Sequence, residues 1–217
     1  AIAWAVIPGF LLAHVWTLFS GHRPSGSSPW STLQFWNGMS SFGGFAGALA
    51  GLLVGFSRRP APVRLAVAEV LLQALVVGWV FGRLGCAVVH DHIGRLSSFP
   101  LAIRFPDGAR HDLGLYEMLF TLLVLVPAVV VLNRKPRRPR DTIAWFSLLY
   151  APAYFLLDVL RITDLPGADA RHLGLTTAQY ACIVLAGIGL MFARRAVKAP
   201  SNEPRLSQRN ALLKPRG

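Results

Sequence analysis

The sequence predicts an all-α polytopic membrane protein with six transmembrane helices and a polar site at its outer face. Three observations predict it. The 217 residues are 53% hydrophobic and only 15% charged, and the mean hydropathy is +0.48, greasier than a soluble domain of this size. The apolar residues gather in six runs, roughly 1–20, 41–57, 66–89, 113–133, 142–160 and 176–193, most of them close to the ~20 residues that cross a bilayer core. Basic residues alternate from loop to loop. Segments 21–40, 90–112 and 161–175 hold six, whereas 57–65, 134–141 and the tail from Arg194 hold fifteen. The positive-inside bias places the second set, and with it the C-terminus, in the cytoplasm. The excess of 22 Lys and Arg over 10 Asp and Glu therefore reads as contact with anionic headgroups, not with nucleic acid. Residues 1–193 form one membrane domain on this reading, and 194–217 a basic cytoplasmic tail with a disorder-like composition beyond Pro200.

In the first run the chain starts at Ala1, already apolar, without Met or a basic leader. That reads as a missing or processed N-terminus. His14 lies within this run, and an intramembrane histidine is either a hydrogen-bonded packing residue or a proton acceptor. Trp30 and Trp36, in the Gly-, Pro- and Ser-rich loop that follows, suit an interfacial belt. Gly43-Gly44 opens the second run. It offers backbone N–H groups of a helix start to a phosphate, or else, with Gly47 and Gly51 at GxxxG spacing, simply lets helices pack closely. Packing is the simpler reading. Pro8, Pro127 and Pro152 fall inside runs and predict bends.

The third run carries Glu69, which needs a partner or a proton, with Arg64 a candidate neighbour. It ends in Gly82-Arg83-Leu84-Gly85-Cys86, followed by His90-Asp91-His92. A guanidinium at the end of such a span must snorkel to the interface or meet an anion. His90, His92 and His111 with Asp91 and Asp112 make only a weak metal pattern, so no metal and no cofactor is expected. Cys86 and Cys182 both sit in apolar stretches, which disfavours a structural disulfide. Asp107-Gly108 predicts a turn. Tyr116-Glu117 opens the fourth run, where Glu117 suits a helix N-terminus. Asp158 and Arg161 share a face at the end of the fifth, and Thr176 or Thr177 caps the sixth.

Taken together, these pieces resemble the prolipoprotein diacylglyceryl transferases, over about residues 14–192. The family signature is approximately G-R-x-G-N-F-x-N-x-E-x-x-G. Gly82, Arg83, Gly85 and Gly94 match it, and Asp91 stands where the family has Glu. Gly38-Met39-Ser40 with Gly43-Gly44 is similar to the family's GGMSFHGG segment. Phe105-Pro106-Asp107-Gly108, Arg110-His111 and Leu115-Tyr116-Glu117 look like its FPDG…RHPSQLYE stretch. Asp158 and Arg161 occupy its ExxR position. The chain departs at Phe42, where the family has histidine, at Cys86 and Val89 in place of asparagines, and at Tyr154 in place of an arginine.

The resemblance implies a bacterial inner (plasma) membrane protein, and a seven-span fold whose first helix precedes Ala1. It implies transfer of a diacylglyceryl group from phosphatidylglycerol to the thiol of a lipobox-containing preprolipoprotein, with release of glycerol phosphate. Arg83 would hold the phosphate. Gly43, Gly44, Gly85, Gly94, Tyr116, Asp158 and Arg161 would form the lipid site. A base must replace the histidine missing at position 42. His90 is the favoured candidate, seven residues and about two turns beyond Arg83 if the helix continues, with Asp91 holding the segment and His14 as the other candidate. The alternatives are a catalytically degenerate relative acting as a phospholipid-binding or assembly subunit of a membrane complex, with other membrane subunits as partners, and, third, a metal-dependent intramembrane hydrolase.

Overall fold

A computed structural model describes residues 2–19, 39–134, 139–165 and 168–198. The helices are α1 (Ile2–Phe19), α2 (Ser41–Gly55), α3 (Ala61–Val89), α4 (Leu113–Phe120), α5 (Val126–Asn133), α6 (Pro139–Val159) and α7 (Thr177–Lys198). Among the described residues four helices are long and apolar enough to span a membrane: Ala61–Val89, Leu113–Asn133, Arg140–Val159 and Thr177–Arg194. Ile2–Leu18 and Ser41–Gly55 are apolar but shorter. The six predicted runs are all helical, and four of them meet the length for a span. Trp30 and Trp36 lie outside the described residues.

Burial is inverted relative to a soluble protein. The largest fully buried side chains include Arg110, Gln179, Glu69, Glu117 and Asp158, whereas Leu123, Leu156, Phe81 and Val88 are more than half exposed. Lipid is as apolar as leucine, so nothing drives such residues inward, while polar groups must find partners inside the bundle.

The chain divides into two compact units, Ala1–Val67 and Ala68–Gly217. In the first, α1 and α2 pack backbone to backbone. Gly43, Gly47 and Gly51 recur every fourth residue, and a Cβ on them would stand 2.4 Å from the Leu12 carbonyl oxygen, 2.2 Å from that of Pro8 and 1.9 Å from that of Trp4. No side chain fits there, which is why the stripe is glycine. The N–H of Gly43 donates to Ser40 Oγ and that of Gly44 to the Ser40 carbonyl. The expectation that these two groups lie open to a phosphate is therefore corrected: the helix cap uses them both. His14 is buried on α1, and Phe42 packs its ring 4.8 Å from that of Trp16.

In the second unit, segment 90–112 is not the loop that apolar periodicity alone predicts. It folds as β1 (Ile93–Leu96), β2 (Ile103–Phe105) and β3 (Gly108–Asp112), an antiparallel sheet ordered β1-β3-β2. The β2–β3 hairpin turns at Pro106-Asp107, with Phe105 opposite Gly108; Gly108 has φ +137°, a conformation that glycine alone adopts readily. β4 (Arg171–His172) and β5 (Leu175–Thr176) make a second hairpin. The all-α prediction thus holds for the apolar segments and needs these small sheets added in the loops.

Capping explains the remaining boundaries. Asp112, not Glu117, begins α4 by accepting from the Leu115 N–H. Between α4 and α5 the helix widens into a π turn, Thr121–Leu125, just ahead of Pro127, which has no N–H to give. Thr176 and Gln179 form a reciprocal capping box at the start of α7, each side chain accepting from the other's backbone N–H. That helix continues to Lys198, past the boundary at 193 expected from hydropathy.

Candidate functional site

Arg83 is the centre of the second unit. It is 4% exposed, near the end of α3, and four residues beyond Trp79, whose ring lies on the same helix face 4.5 Å from the guanidinium carbon. Its Nε stands 2.9 Å from Glu117 Oε2 on α4, a charge contact without the alignment of a full hydrogen bond. Glu117 Oε1 in turn accepts from Trp79 Nε1 at 2.8 Å and Tyr150 Oη at 2.7 Å. A carboxylate supplied by α4 and two neutral donors from α3 and α6 therefore hold one guanidinium in an apolar bundle. Such a pair survives burial only with this degree of satisfaction.

The other edge of Arg83 is turned to chemistry. Its Nη1 lies 2.9 Å from His92 Nε2 and 3.9 Å from Cys86 Sγ, and His92 Nδ1 is 2.6 Å from Asp91 Oδ1. Ligand atoms of Cys86, Asp91 and His92 all fall within 4.8 Å of one another. The guanidinium beside them fills that corner with positive charge, so the cluster suits an anion and a moving proton better than a cation.

His90 is elsewhere. α3 ends at Val89 and His90 has φ +52°, so the helical continuation that would align it with Arg83 does not occur. Its Nδ1 bonds Asp112 Oδ2 at 2.5 Å, while the other oxygen of Asp112 caps α4. His90 thereby joins the end of α3 to the start of α4. Tyr116 bonds His111 Nδ1 through its hydroxyl at 2.9 Å, beside Phe99. Gly94 is a packing glycine, since a Cβ there would stand 2.6 Å from His111 Cβ and 2.8 Å from the Leu160 carbonyl oxygen. At Gly85 a Cβ would meet nothing within 4 Å.

Asp158 and Arg161 form the expected pair, Oδ1 to Nη1, at 3.6 Å. Asp158 Oδ2 also accepts from Thr176 Oγ1 at 2.5 Å, and Arg161 Nε meets Asp169 Oδ2 at 2.5 Å. Backbone bonds tie this end of α6 to β1: Arg161 bridges Gly94, and the Arg95 N–H donates to the Leu160 carbonyl. Arg110 completes the tie, donating to Asp107, Asp164 and the Gly94 carbonyl.

Hydrogen bonds from Arg110 hold the Asp107 and Asp164 carboxyls below the usual range. Because the folded pKa is the lower one, this tie adds stability above the ordinary aspartate pKa of about 3.9 and loses it as pH falls through the lowered values. Hydrogen exchange at the β3 amides, corrected for intrinsic rates, should accelerate below about pH 4, and Asp164→Asn, which leaves one titrating carboxylate on Arg110 instead of two, should make that acceleration smaller. A β3 protection unaffected by acid would contradict the tie.

A model of the prolipoprotein diacylglyceryl transferase family matches residues 1–194. The chain belongs to that family. Over 202 residues it is 30% identical to a phosphatidylglycerol–prolipoprotein diacylglyceryl transferase of Nitratidesulfovibrio vulgaris, covering 89% of this chain and 75% of that one. Proteins of the same name from Rhizobium meliloti and Idiomarina loihiensis are 30% and 29% identical over 179 and 164 residues. The chain covers 64% and 61% of their lengths. The family resemblance read from the G-R-x-G stretch is thus confirmed.

Two departures of this diacylglyceryl transferase relative lie at Arg83 itself. Cys86 touches the guanidinium, and Tyr154 lies within electrostatic reach of both the Arg83–Glu117 and the Asp158–Arg161 pairs. Reading the sequence missed Glu117 as the partner of Arg83 and treated His92 only as a weak metal ligand. The signal for Glu117 was present, since a carboxylate inside an apolar run requires a counterpart. For His92 there was none, because a sheet and not a helix sets its position.

Proposed function

We propose that this chain transfers a diacylglyceryl group from phosphatidylglycerol to a cysteine thiol of a prolipoprotein and releases glycerol phosphate. The observation that carries the reading is Arg83, buried at the end of an apolar helix with one edge on Glu117 and the other toward His92 and Cys86. An arginine held this way presents fixed donors to a phosphate without having to be ordered when the lipid arrives. The names of the relatives supply the substrates. On this reading Arg83 holds the headgroup phosphate. The Asp158–Arg161 pair borders the lipid site, with Gly94 bridged to Arg161 and Tyr116 bonded to His111 completing it. Gly85 keeps the α3 surface two residues on from Arg83 free of a side chain. His90 and Asp91 position the segment that follows α3.

The charge bias of the loops supports a multi-pass protein of the bacterial inner membrane with six spans in this chain, the sheet outside and the C-terminus in the cytoplasm. Residues 194–217 then form a basic tail on anionic headgroups. Phe42 and Tyr154, standing where the family has a histidine and an arginine, favour a second reading: a relative that binds phospholipid without turning it over. Purified chain supplied with headgroup-labelled phosphatidylglycerol and a lipobox peptide separates the two. Labelled glycerol phosphate and a thioether-linked peptide are the expected products. Phospholipid retained in native mass spectra with neither product would establish the binding reading instead.

A further inference from the structure

We infer that His92, held by Asp91, is the base that takes the proton of the acceptor thiol; the inference rests on the transfer reading above. A guanidinium carries only donors. The 2.9 Å contact of Arg83 Nη1 with His92 Nε2 therefore leaves Nε2 as the acceptor, with its lone pair toward Arg83. The ring proton must then sit on Nδ1, where it donates to Asp91 Oδ1 at 2.6 Å. A carboxylate behind Nδ1 and an unprotonated Nε2 is the arrangement that makes imidazole a general base, once Nε2 is released from Arg83, and steadies the imidazolium it becomes.

Position supports the role as well. The His92 side chain is 22% exposed, within reach of a substrate but fixed at both nitrogens. Cys86 Sγ lies 3.9 Å from the same Nη1, beside the Asp91 and His92 ligand atoms. The other histidines of the second unit have different work: His90 is spent on Asp112, His111 on Tyr116, and His172 lies on the separate β4–β5 hairpin.

A phosphate arriving at Arg83 takes over the Nη1 hydrogen bond that His92 accepts and so uncovers Nε2. The thiol proton passes to Nε2, and the sulfur forms a C–S bond to the diacylglyceryl methylene carbon. The C–O bond to phosphate breaks, its electron pair leaves with glycerol phosphate, and the imidazolium returns its proton to that phosphate or to water. Lipid must bind before the thiol is deprotonated, because until then Arg83 masks the base. Among the described residues, the charged and titratable groups facing His92 are Arg83, Asp91 and Cys86.

The test uses the full chain with labelled phosphatidylglycerol and a lipobox peptide. His92→Ala should lower transfer at pH 7 by ~10²–10⁴-fold while native mass spectra show phospholipid still bound. Its rate should climb toward wild type as pH passes the thiol pKa of about 8.5, since the acceptor then ionises unaided. Asp91→Asn should lose less and shift the pH profile, and Asp91→Glu should restore it, as a positioning carboxylate requires. If His92→Ala does not fold, His92→Gln, which keeps an acceptor for Arg83 but cannot take the proton, gives the same reading. A variant at the wild-type rate at pH 7, or one whose loss is the same at pH 7 and pH 9, overturns the assignment while wild-type transfer stands. A wild-type chain that releases no glycerol phosphate overturns the transfer reading, and this one with it.

Discussion

Arg83→Ala is expected to lower diacylglyceryl transfer by about 10²–10³-fold, the usual loss when one preorganised donor to a developing anion is removed. The leaving phosphate gains charge as the C–O bond breaks, and the forked cation 4% exposed at the end of α3 is the group placed to stabilise it. Lysine should recover little, because its ammonium cannot make two parallel bonds while also facing Glu117 and Trp79. The alanine variant also strands the Glu117 carboxylate, so lost activity alone would not separate chemistry from folding. Arg83→Ala combined with Glu117→Gln restores charge balance and keeps an oxygen for the Trp79 and Tyr150 donors. That double variant should be nearly as stable as wild type and still inactive with labelled phosphatidylglycerol. Transfer at the wild-type rate by either variant would remove Arg83 from the mechanism.

The second large effect is on stability. Glu117→Ala takes away the counter-charge of a guanidinium buried among apolar helices, and breaking such a pair from one side costs about 3–5 kcal/mol. It also orphans the Trp79 and Tyr150 donors, each worth about 1–3 kcal/mol if left unsatisfied. These terms overlap and do not simply add, but either is a large share of the stability of an ordinary domain. Glu117→Gln keeps the two hydrogen bonds and loses only the charge, so it should fall between alanine and wild type. Thermal unfolding in detergent measures the order. An alanine variant as stable as wild type would mean that Arg83 finds another anion, and the centre described here would be wrong.

Much of this molecule follows from composition and order alone. Where the chain is apolar for about 20 residues it is helical, because an unpaired backbone is too costly in lipid to allow anything else. Hence the runs predicted at 41–57, 66–89, 113–133 and 142–160 come within a few residues of α2, α3, the α4–α5 pair and α6. Arg83 stood out for the same reason: a charge in such a run demands an explanation. The glycines of α2 left two readings, and only the 1.9–2.4 Å at which an added Cβ would stand from the α1 carbonyls decided for packing.

The site's composition was decided by tertiary structure. Periodicity counts turns along one helix, so it pointed to His90, two turns past Arg83, on the premise that α3 continues. The helix stops one residue earlier, His90 takes a left-handed conformation, and the chain reverses into a sheet that brings His92 back to Arg83. No property of residues 90–92 read in isolation distinguishes the two histidines, because β3 and the α4 cap, contributed from residues 108–115, determine which one points inward. Glu117 is the same case across helices. Its presence in an apolar run was visible, but its partner was not, since pairing between α3 and α4 depends on how two helices are rotated against each other. The sequence determined that the cation near the end of α3 needed either the interface or an anion; packing alone determined that it is buried, which carboxylate neutralises it and which histidine stands beside it.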